Sequence, residues 1–466
     1  MEIKRFYLTC LAHASYMVHD GGEAAVIDPQ RDVSLYLEEA AELGVSIRWV
    51  IETHLHADFV SGHLELAKRT GATICIGAGA GAEFPHRDLV DGDDLPLGGA
   101  SLRVLTTPGH TEESICILAV DGSGENPLAA FTGDTLFIGD VGRPDLSPTK
   151  TPQELAGMLF DSLHTKLLTL PDETLVYPAH GAGSLCGRQM SADAQSTIGK
   201  ERRLNYALQV PSRDDFVTLL TAELPPRPEY FQDEVAHNRA GAADVDRLET
   251  VRSLTPKDVI ALQAAGAVVL DTRPSDKFGA AHIPGSINVG LRGQFASWAA
   301  RLLGVNRDIV LVAEDDAGIA ESRLRLARVG IEKIAGALSG GMQEWADAEM
   351  PFASIPQLSA READLELANG AITLVDVREM NERTSRGVVP GSVSIPLQTL
   401  KTRANELNRE NPVLVMCQGG YRSSIGASLL KSVGFADVAN VVGGFDAWSI
   451  AFPEVAQGGT AVCTAR

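Results

Sequence analysis

Short apolar runs closed by turn residues recur along the chain. In the first half, AAVIDP, IRWVIET, ATICIG, LRVLTTPG, LAAFTGD and TLVYPAH are each too short for a helix and are bounded by Gly, Pro or Asp, so they predict strands. DVSLYLEEAAELG, between the first two, carries apolar residues at helical spacing and ends in Gly, which predicts a helix. The opening segment MEIKRFYLTCLAHASYMVHDGG has its apolar run broken by His13 and His19, so it reads as a first strand and not as a signal peptide. Strands lead and helices cover, which predicts an α/β layered domain over residues 1–245. Its end is charged and Pro-rich. KERRLNYALQ predicts a terminal helix, and ELPPRPEYFQDEVAHNRAGAADVDR predicts an extended connector with no chemistry of its own.

Beyond residue 250 the pattern repeats itself. VVLDTR matches TLVDVR, IPGSINV matches VPGSVSI, DIVLVAEDD matches PVLVMCQGG, and LSGGMQEWADAEMP matches VVGGFDAWSIAFP. The spacings agree as well: Ala313 to Gly330 and Cys417 to Gly434 are both 17 residues, and Gly341 to Trp345 and Gly444 to Trp448 are both 4. Two copies of one fold are therefore expected, at residues 250–353 and 357–455, with a tail at 456–466. Their strand–helix–strand rhythm implies parallel sheets with helices on the faces.

Composition narrows the function classes. The chain has 466 residues with 40 Lys plus Arg against 61 Asp plus Glu, a formal net charge of −21. Such a surface argues against nucleic acid as a partner and against docking on anionic membranes. No apolar stretch reaches the length of a membrane span. The six cysteines, at 10, 75, 116, 186, 417 and 463, form no CxxC pair and are too few for a disulfide scaffold, so a reducing cytoplasm is the expected compartment.

Candidate chemistry in the first block lies at strand ends. THLHADFVSGH places His54, His56 and Asp58 just after RWVIE, while TTPGH ends at His110, FTGD at Asp134 and YPAH at His180. Open α/β sheets set their ligand sites at the carboxyl ends of strands, and imidazole with carboxylate is the ligand choice of first-row metals. The convergence of four strand ends predicts a metal site. His63, a helical turn or two beyond the loop, is expected to be a supporting or structural residue.

The set THLHADFxxGH, PGHTxES, FTGD, GRPD and YPAHG resembles the metallo-β-lactamase superfamily, and within it persulfide dioxygenases more than glyoxalase II hydrolases. The resemblance implies an αββα fold. Dinuclear hydrolases of the superfamily read HxHxDH, whereas Phe59 takes the place of the last His, which favours a single metal. By resemblance that metal is Fe(II), one per chain, on His54, His110 and Asp134, with zinc as the other possibility; two imidazoles and one carboxylate with open positions suit non-haem iron oxygenases. His56, Asp58 and His180 are then supporting groups or alternative ligands. The resemblance further implies a thiol-substrate contact at Arg143 and a homo-oligomer pairing near KERRLNYALQ. Ala182 stands where glutathione-type dioxygenases carry an aromatic, so the identity of the carrier thiol stays open. Cys186, six residues after His180, is either a substrate-handling thiol or a buried small hydrophobe.

In the second copy, Cys417–Gln418–Gly419–Gly420–Tyr421–Arg422–Ser423 follows the strand PVLVM and precedes a helical run. Backbone N–H groups and a helix N-terminus there stabilise an anionic sulfur, the two glycines let the loop close, and Arg422 offers charge to sulfite or thiosulfate. With its DVR, PGS and GGxxAW segments the copy resembles rhodanese sulfurtransferases, which implies Cys417 as nucleophile. The first copy has Ala313 followed by Glu314, Asp315 and Asp316, and is expected to be a silent rhodanese-like domain. Cys463 is expected to be exposed and incidental.

The order of blocks resembles bacterial persulfide dioxygenase–sulfurtransferase fusions. That implies oxidation of a low-molecular-weight thiol persulfide by O2 to sulfite, coupled to thiosulfate formation or use at Cys417, in sulfide detoxification. The alternatives are a zinc-dependent thioester hydrolase fused to a sulfurtransferase, and a sulfur carrier whose metal is structural.

Overall fold

The computed structural model describes residues 1–456 except Glu125, Asn126, Glu223, Pro225, Asp246, Arg247 and Glu249. The tail expected at 456–466, with Cys463, lies outside the described residues beyond its first position. The chain forms two compact units: Met1–Glu249 with Leu326–Glu332, and Thr250–Arg325 with Lys333 onward.

The first unit holds two six-stranded sheets. One orders the strands Glu2–Leu8, His13–Asp20, Glu23–Ile27, Ser46–Glu52, Thr73–Gly77 and Arg87–Leu89. The other runs Ser196–Thr197, Leu175–Pro178, Pro127–Gly133, Ile115–Val120, Ala100–Thr106 and Asp94–Leu97. Side chains alternate across each strand. Tyr16, Ile27 and Ile51 of the first sheet meet Leu102, Ile117 and Phe131 of the second in one core. Their neighbours Met17, Val26 and Val50 point the other way, into a core that includes Tyr36 and Ala40 of the helix Ser34–Leu43 and Leu66 of the helix His63–Thr70. On the far face of the second sheet, Leu159 and Leu163 of the helix Pro152–Thr165 pack with Cys116 and Val176. Layering is thus α, β, β, α, as the resemblance implied.

All six strands expected from apolar runs are present, and the expected helix is Ser34–Leu43, ending at Gly44 in the left-handed region with φ 65°. The extended connector is not. After the helix Ile198–Leu204 come two more, Arg213–Thr221 and Phe231–Ala240. Ser212 caps the former by accepting from the Asp215 N–H, and Phe216 and Leu220 anchor it in the core; Phe231, Glu234 and Asn238, at helical spacing, are the buried face of the latter. The Pro-rich text belongs only to the short segment between them.

In the second unit each repeat has a five-stranded sheet whose paired strands are all parallel. Ile309–Val312 and Val413–Met416 occupy equivalent central places, ending at Ala313 and Cys417. Trp345 and Trp448, 1% and 2% exposed, fill the same core position of each repeat. Among the described residues no helix is long and apolar enough to cross a membrane.

Candidate metal centre and sulfur-transfer loop

Four of the strand ends singled out in the sequence converge. His54 follows Ser46–Glu52, His110 follows Ala100–Thr106, Asp134 comes directly after Pro127–Gly133, and His180 follows Leu175–Pro178. His54, His110 and Asp134 are all buried, with one ligand atom from each lying within 4.8 Å of the others. His110 Nε2 is 3.3 Å and His54 Nε2 3.8 Å from Asp134 Oδ2.

Each ring is aimed by its other nitrogen. The Arg143 carbonyl accepts from His110 Nδ1 at 2.9 Å, and His54 Nδ1 meets Thr53 Oγ1 at 3.0 Å, whose hydroxyl in turn donates to Asp28. Asp134 Oδ1 faces His180 Nδ1 at 2.8 Å, leaving Oδ2 for the set. His110 Nε2 and Asp134 Oδ2 are buried and have no hydrogen-bond partner. Leaving such atoms unmatched costs about 1–3 kcal/mol each, and a metal ion is what this donor set fits. Burial, with His56 next in weight, pushes the His54 imidazole well below its ordinary value, which favours the neutral, ligating form. Burial alone would push the Asp134 carboxyl up, but His180, His54 and His110 hold it well below the carboxylate range. Gly142 matters sterically: a Cβ there would stand 2.0 Å from the Asp134 carbonyl and 2.9 Å from His110 Nδ1.

Two further groups border this set. Asp58, His180 and Cys186 form one, with His180 Nε2 3.0 Å from Asp58 Oδ2. Cys186 is 1% exposed, and burial, followed by Asp58 and Asp134, pushes its thiol well above the usual range. Asp28, Glu52 and His56 form the other: His56 Nε2 turns to Asp28 at 3.2 Å and Glu52 at 3.4 Å, and these carboxylates outweigh burial to raise its pKa. His63 lies outside all three groups, with Nδ1 3.5 Å from Glu52 and its ring 4.6 Å from that of Phe84. Phe59 is 1% exposed and packs at a tilt, with its ring centroid 4.0 Å from that of His13 and 4.3 Å from that of His56. Arg143, 5% exposed, directs Nε and a terminal nitrogen to Asp145 at 2.6 and 2.8 Å and another to the Leu185 carbonyl.

Several residues of this region have no sequence motif. His13 is fully buried beside His56, Phe59 and His180. Asn238 donates to the carbonyls of His56 and Phe59 and accepts from the Ser61 N–H, each at 2.8 Å, so it clamps the HxHxD loop from the helix Phe231–Ala240. Asp28, at φ 51°, accepts from Thr53 N–H at 2.7 Å. A φ above zero on a non-Gly residue was the kind of feature only the backbone could reveal.

In the second repeat the Cys417 Sγ accepts from the Gly420 N–H at 3.1 Å and meets Ser423 Oγ at 3.5 Å, at the start of the helix Tyr421–Ser432. Gly420, at φ 94°, lets the loop turn there. Arg422 is paired with Glu382 through two contacts of 2.5 and 2.6 Å. Gln418 accepts from Arg378 at 3.0 Å and donates to Asp446 at 2.5 Å. The first repeat keeps the supporting frame, with Arg273 on Asp271 as Arg378 is on Asp376, but Ala313 offers no nucleophile. Its Glu314 pairs with Lys277, and Asp315 accepts from the Gly318 N–H.

Two facing sheets with a buried His–His–Asp set at their strand ends define a metal-binding αββα protein. Residues 8–180 match the Metallo-beta-lactamase superfamily, and residues 255–348 and 359–451 each match the Rhodanese-like domain. The mitochondrial persulfide dioxygenase of Bos taurus is 33% identical over 222 residues, 46% of this chain and 78% of that protein. A hydroxyacylglutathione hydrolase of Rhodospirillum rubrum is 31% identical over 253 residues, 52% of this chain and 87% of that protein. The crystal structure of a metallo-beta-lactamase from Staphylococcus aureus is 32% identical with a TM-score of 0.65, covering 72% of this chain and 98% of its own. The chain belongs to the metallo-β-lactamase superfamily, with persulfide dioxygenases among its homologues, and carries two rhodanese-like domains at its C-terminal end.

Proposed function

We propose that the chain is a persulfide dioxygenase joined to a sulfurtransferase. One observation carries the reading: the buried His54, His110 and Asp134 set has coordinating atoms without other partners, while Phe59 stands where a dinuclear hydrolase has an imidazole. Fe(II) held by these three residues would leave positions open for a persulfide sulfur and O2 and supply the oxygen-activating chemistry. The overall change is RSSH + O2 + H2O giving RSH, sulfite and two protons.

The chain's own residues hold the arrangement for that change. The Arg143 carbonyl fixes the His110 ring, His180 fixes Asp134, and Asn238 fixes the loop that carries His54. Phe59, His13 and Cys186 keep the surroundings closed to bulk water. Arg143 is turned to Asp145 and the Leu185 carbonyl, so its backbone carbonyl is what serves the centre, by holding the His110 ring.

At the second site Cys417 carries a sulfane sulfur as a persulfide. Attack by sulfite on the outer sulfur forms the S–S bond of thiosulfate and returns the Cys417 thiolate, with no net oxidation. The Gly420 N–H and Ser423 hydroxyl hold that sulfur, and Gln418, Gly419 and Tyr421 shape the loop. Arg422 draws in the anion, sharing its charge with Glu382.

Separate variants test the halves. His110→Ala should lower oxygen uptake on a persulfide by about a hundredfold or more, a typical cost of losing a metal-site residue. Cys417→Ser should accumulate sulfite and form no thiosulfate; thiosulfate formed at the wild-type rate would remove Cys417 from the chemistry.

A further inference from the structure

The first compact unit takes in Leu326–Glu332, residues whose sequence belongs to the first repeat. They span the end of the helix Asp316–Ala327 and the turn after it, with Gly330 at φ 65°. Their contacts converge on the loop that carries His54, His56 and Asp58. The Arg328 carbonyl accepts from the Val60 N–H at 2.8 Å, one residue beyond Phe59. The Arg328 guanidinium lies fork to fork on Asp32, with Nε and a terminal nitrogen 2.8 and 2.9 Å from its two oxygens. These side chains are 12% and 20% exposed, so salt screens the pair less than a surface one. Glu332 accepts from a terminal nitrogen of the buried Arg31 at 2.6 Å. Gly330 lies so close to Glu234 of the helix Phe231–Ala240 that a Cβ there would stand 2.4 Å from Oε1.

Arg31 and Asp32 belong to the segment on which that loop rests. The Pro29 carbonyl accepts from the Ser61 hydroxyl at 2.9 Å and from the Gly62 N–H at 3.2 Å, and a Cβ on Gly62 would meet the Gln30 carbonyl at 2.4 Å. Leu326–Glu332 thus holds the loop through Val60 and its support through two ion pairs. With Asn238 on the His56 and Phe59 carbonyls, the loop is pinned at consecutive residues. The active copy lacks the charges that do this. Ala313 stands 104 positions before Cys417, and at that offset Val329 and Gly330 match Val433 and Gly434, whereas Arg328 and Glu332 match Ser432 and Ala436. A repeat folds with the turn and without either charge, so Arg328 and Glu332 answer to Asp32 and Arg31 and not to the repeat itself.

We propose that Leu326–Glu332 is a strap that holds the metal-site loop in ligating register, with Arg328 as its positioning residue. The inference rests on the reading of His54, His110 and Asp134 as a metal site. Arg328 acts through the Val60 N–H and through Asp32, which together set where the loop from His54 to Ser61 lies. Outer contacts of this kind change metal affinity by about 10–100-fold. The silent repeat, with Ala313 in place of a nucleophile, thereby lends part of its sequence to the metal centre.

The metal-free full chain is titrated with Co(II), followed by its visible absorption, as wild type, Arg328→Asp, Asp32→Arg and the double variant. Each single variant should weaken Co(II) binding about tenfold and alter the absorption spectrum. The double variant restores the pair with its charges exchanged and should recover most of the affinity. Arg328→Lys, which keeps the charge without the fork, should fall between wild type and Arg328→Asp, and it carries the test if Arg328→Asp does not fold. Hydrogen–deuterium exchange read by mass spectrometry should be faster across residues 54–62 in the single variants and close to wild type in the double. Unchanged affinity and exchange in the single variants overturn the proposal. So does a fall in the urea midpoint with Co(II) affinity unchanged, which would make Arg328 a structural residue only, and so does a double variant no better than the singles. A wild type that binds no Co(II) overturns the metal reading instead, and the exchange of residues 54–62 still decides the strap.

Discussion

Phe59 is the residue on which the single-metal reading turns. Asp58 and His180 are 3.0 Å apart and could serve a second metal, yet the residue beside them is an aromatic packed on His13 and His56. A phenyl ring has no lone pair to donate, and no motion of the side chain changes that. Phe59→His replaces it with an imidazole next to two existing oxygen and nitrogen donors. The expected outcome is a rise in zinc bound per chain from one toward two, read by elemental analysis after dialysis against zinc. A count that stays at one would mean that Asp58 and His180 are committed to orienting Asp134 and cannot be recruited.

Elements decide where these residues meet. The strand ends were legible because each candidate ligand follows an apolar run, and the sequence places His54, His110, Asp134 and His180 at four such ends. The repeat was legible through matched motifs, down to equivalent Trp345 and Trp448. The helices Arg213–Thr221 and Phe231–Ala240 were hidden because charge and proline around them mask a narrow apolar stripe. Asn238 was hidden for a different reason: its role is set by carbonyls of residues some 180 positions away, which no local pattern encodes. Asn238→Ala strands those carbonyls and the Ser61 N–H in a buried place and should cost about 2–4 kcal/mol, at roughly 1–3 kcal/mol per unmatched group with partial relaxation. Denaturant unfolding measures the loss, and metal affinity should fall with it, since the loop carries His54. Trp448→Ala should remove about 3–5 kcal/mol from the second unit through the cavity it leaves. Its metal content should stay at the wild-type level, because His54, His110 and Asp134 belong to the other compact unit.

For the whole molecule, the net charge of −21 opposes the approach of the sulfite and thiosulfate anions that the proposed function requires. The answer is local. The Gly420 N–H donates to Cys417 Sγ, and Arg422 of the same loop is balanced by Glu382, so the loop offers a shared cation instead of a bare one. The His54, His110 and Asp134 set lies in one compact unit and Cys417 in the other. The proposed function requires a single iron in the first unit, on His54, His110 and Asp134. Elemental analysis of the purified chain, combined with oxygen uptake on a thiol persulfide, should find one iron per chain and one O2 consumed per sulfite formed; two zinc ions per chain, no oxygen uptake and hydrolysis of a thioester in its place would rule out the iron site.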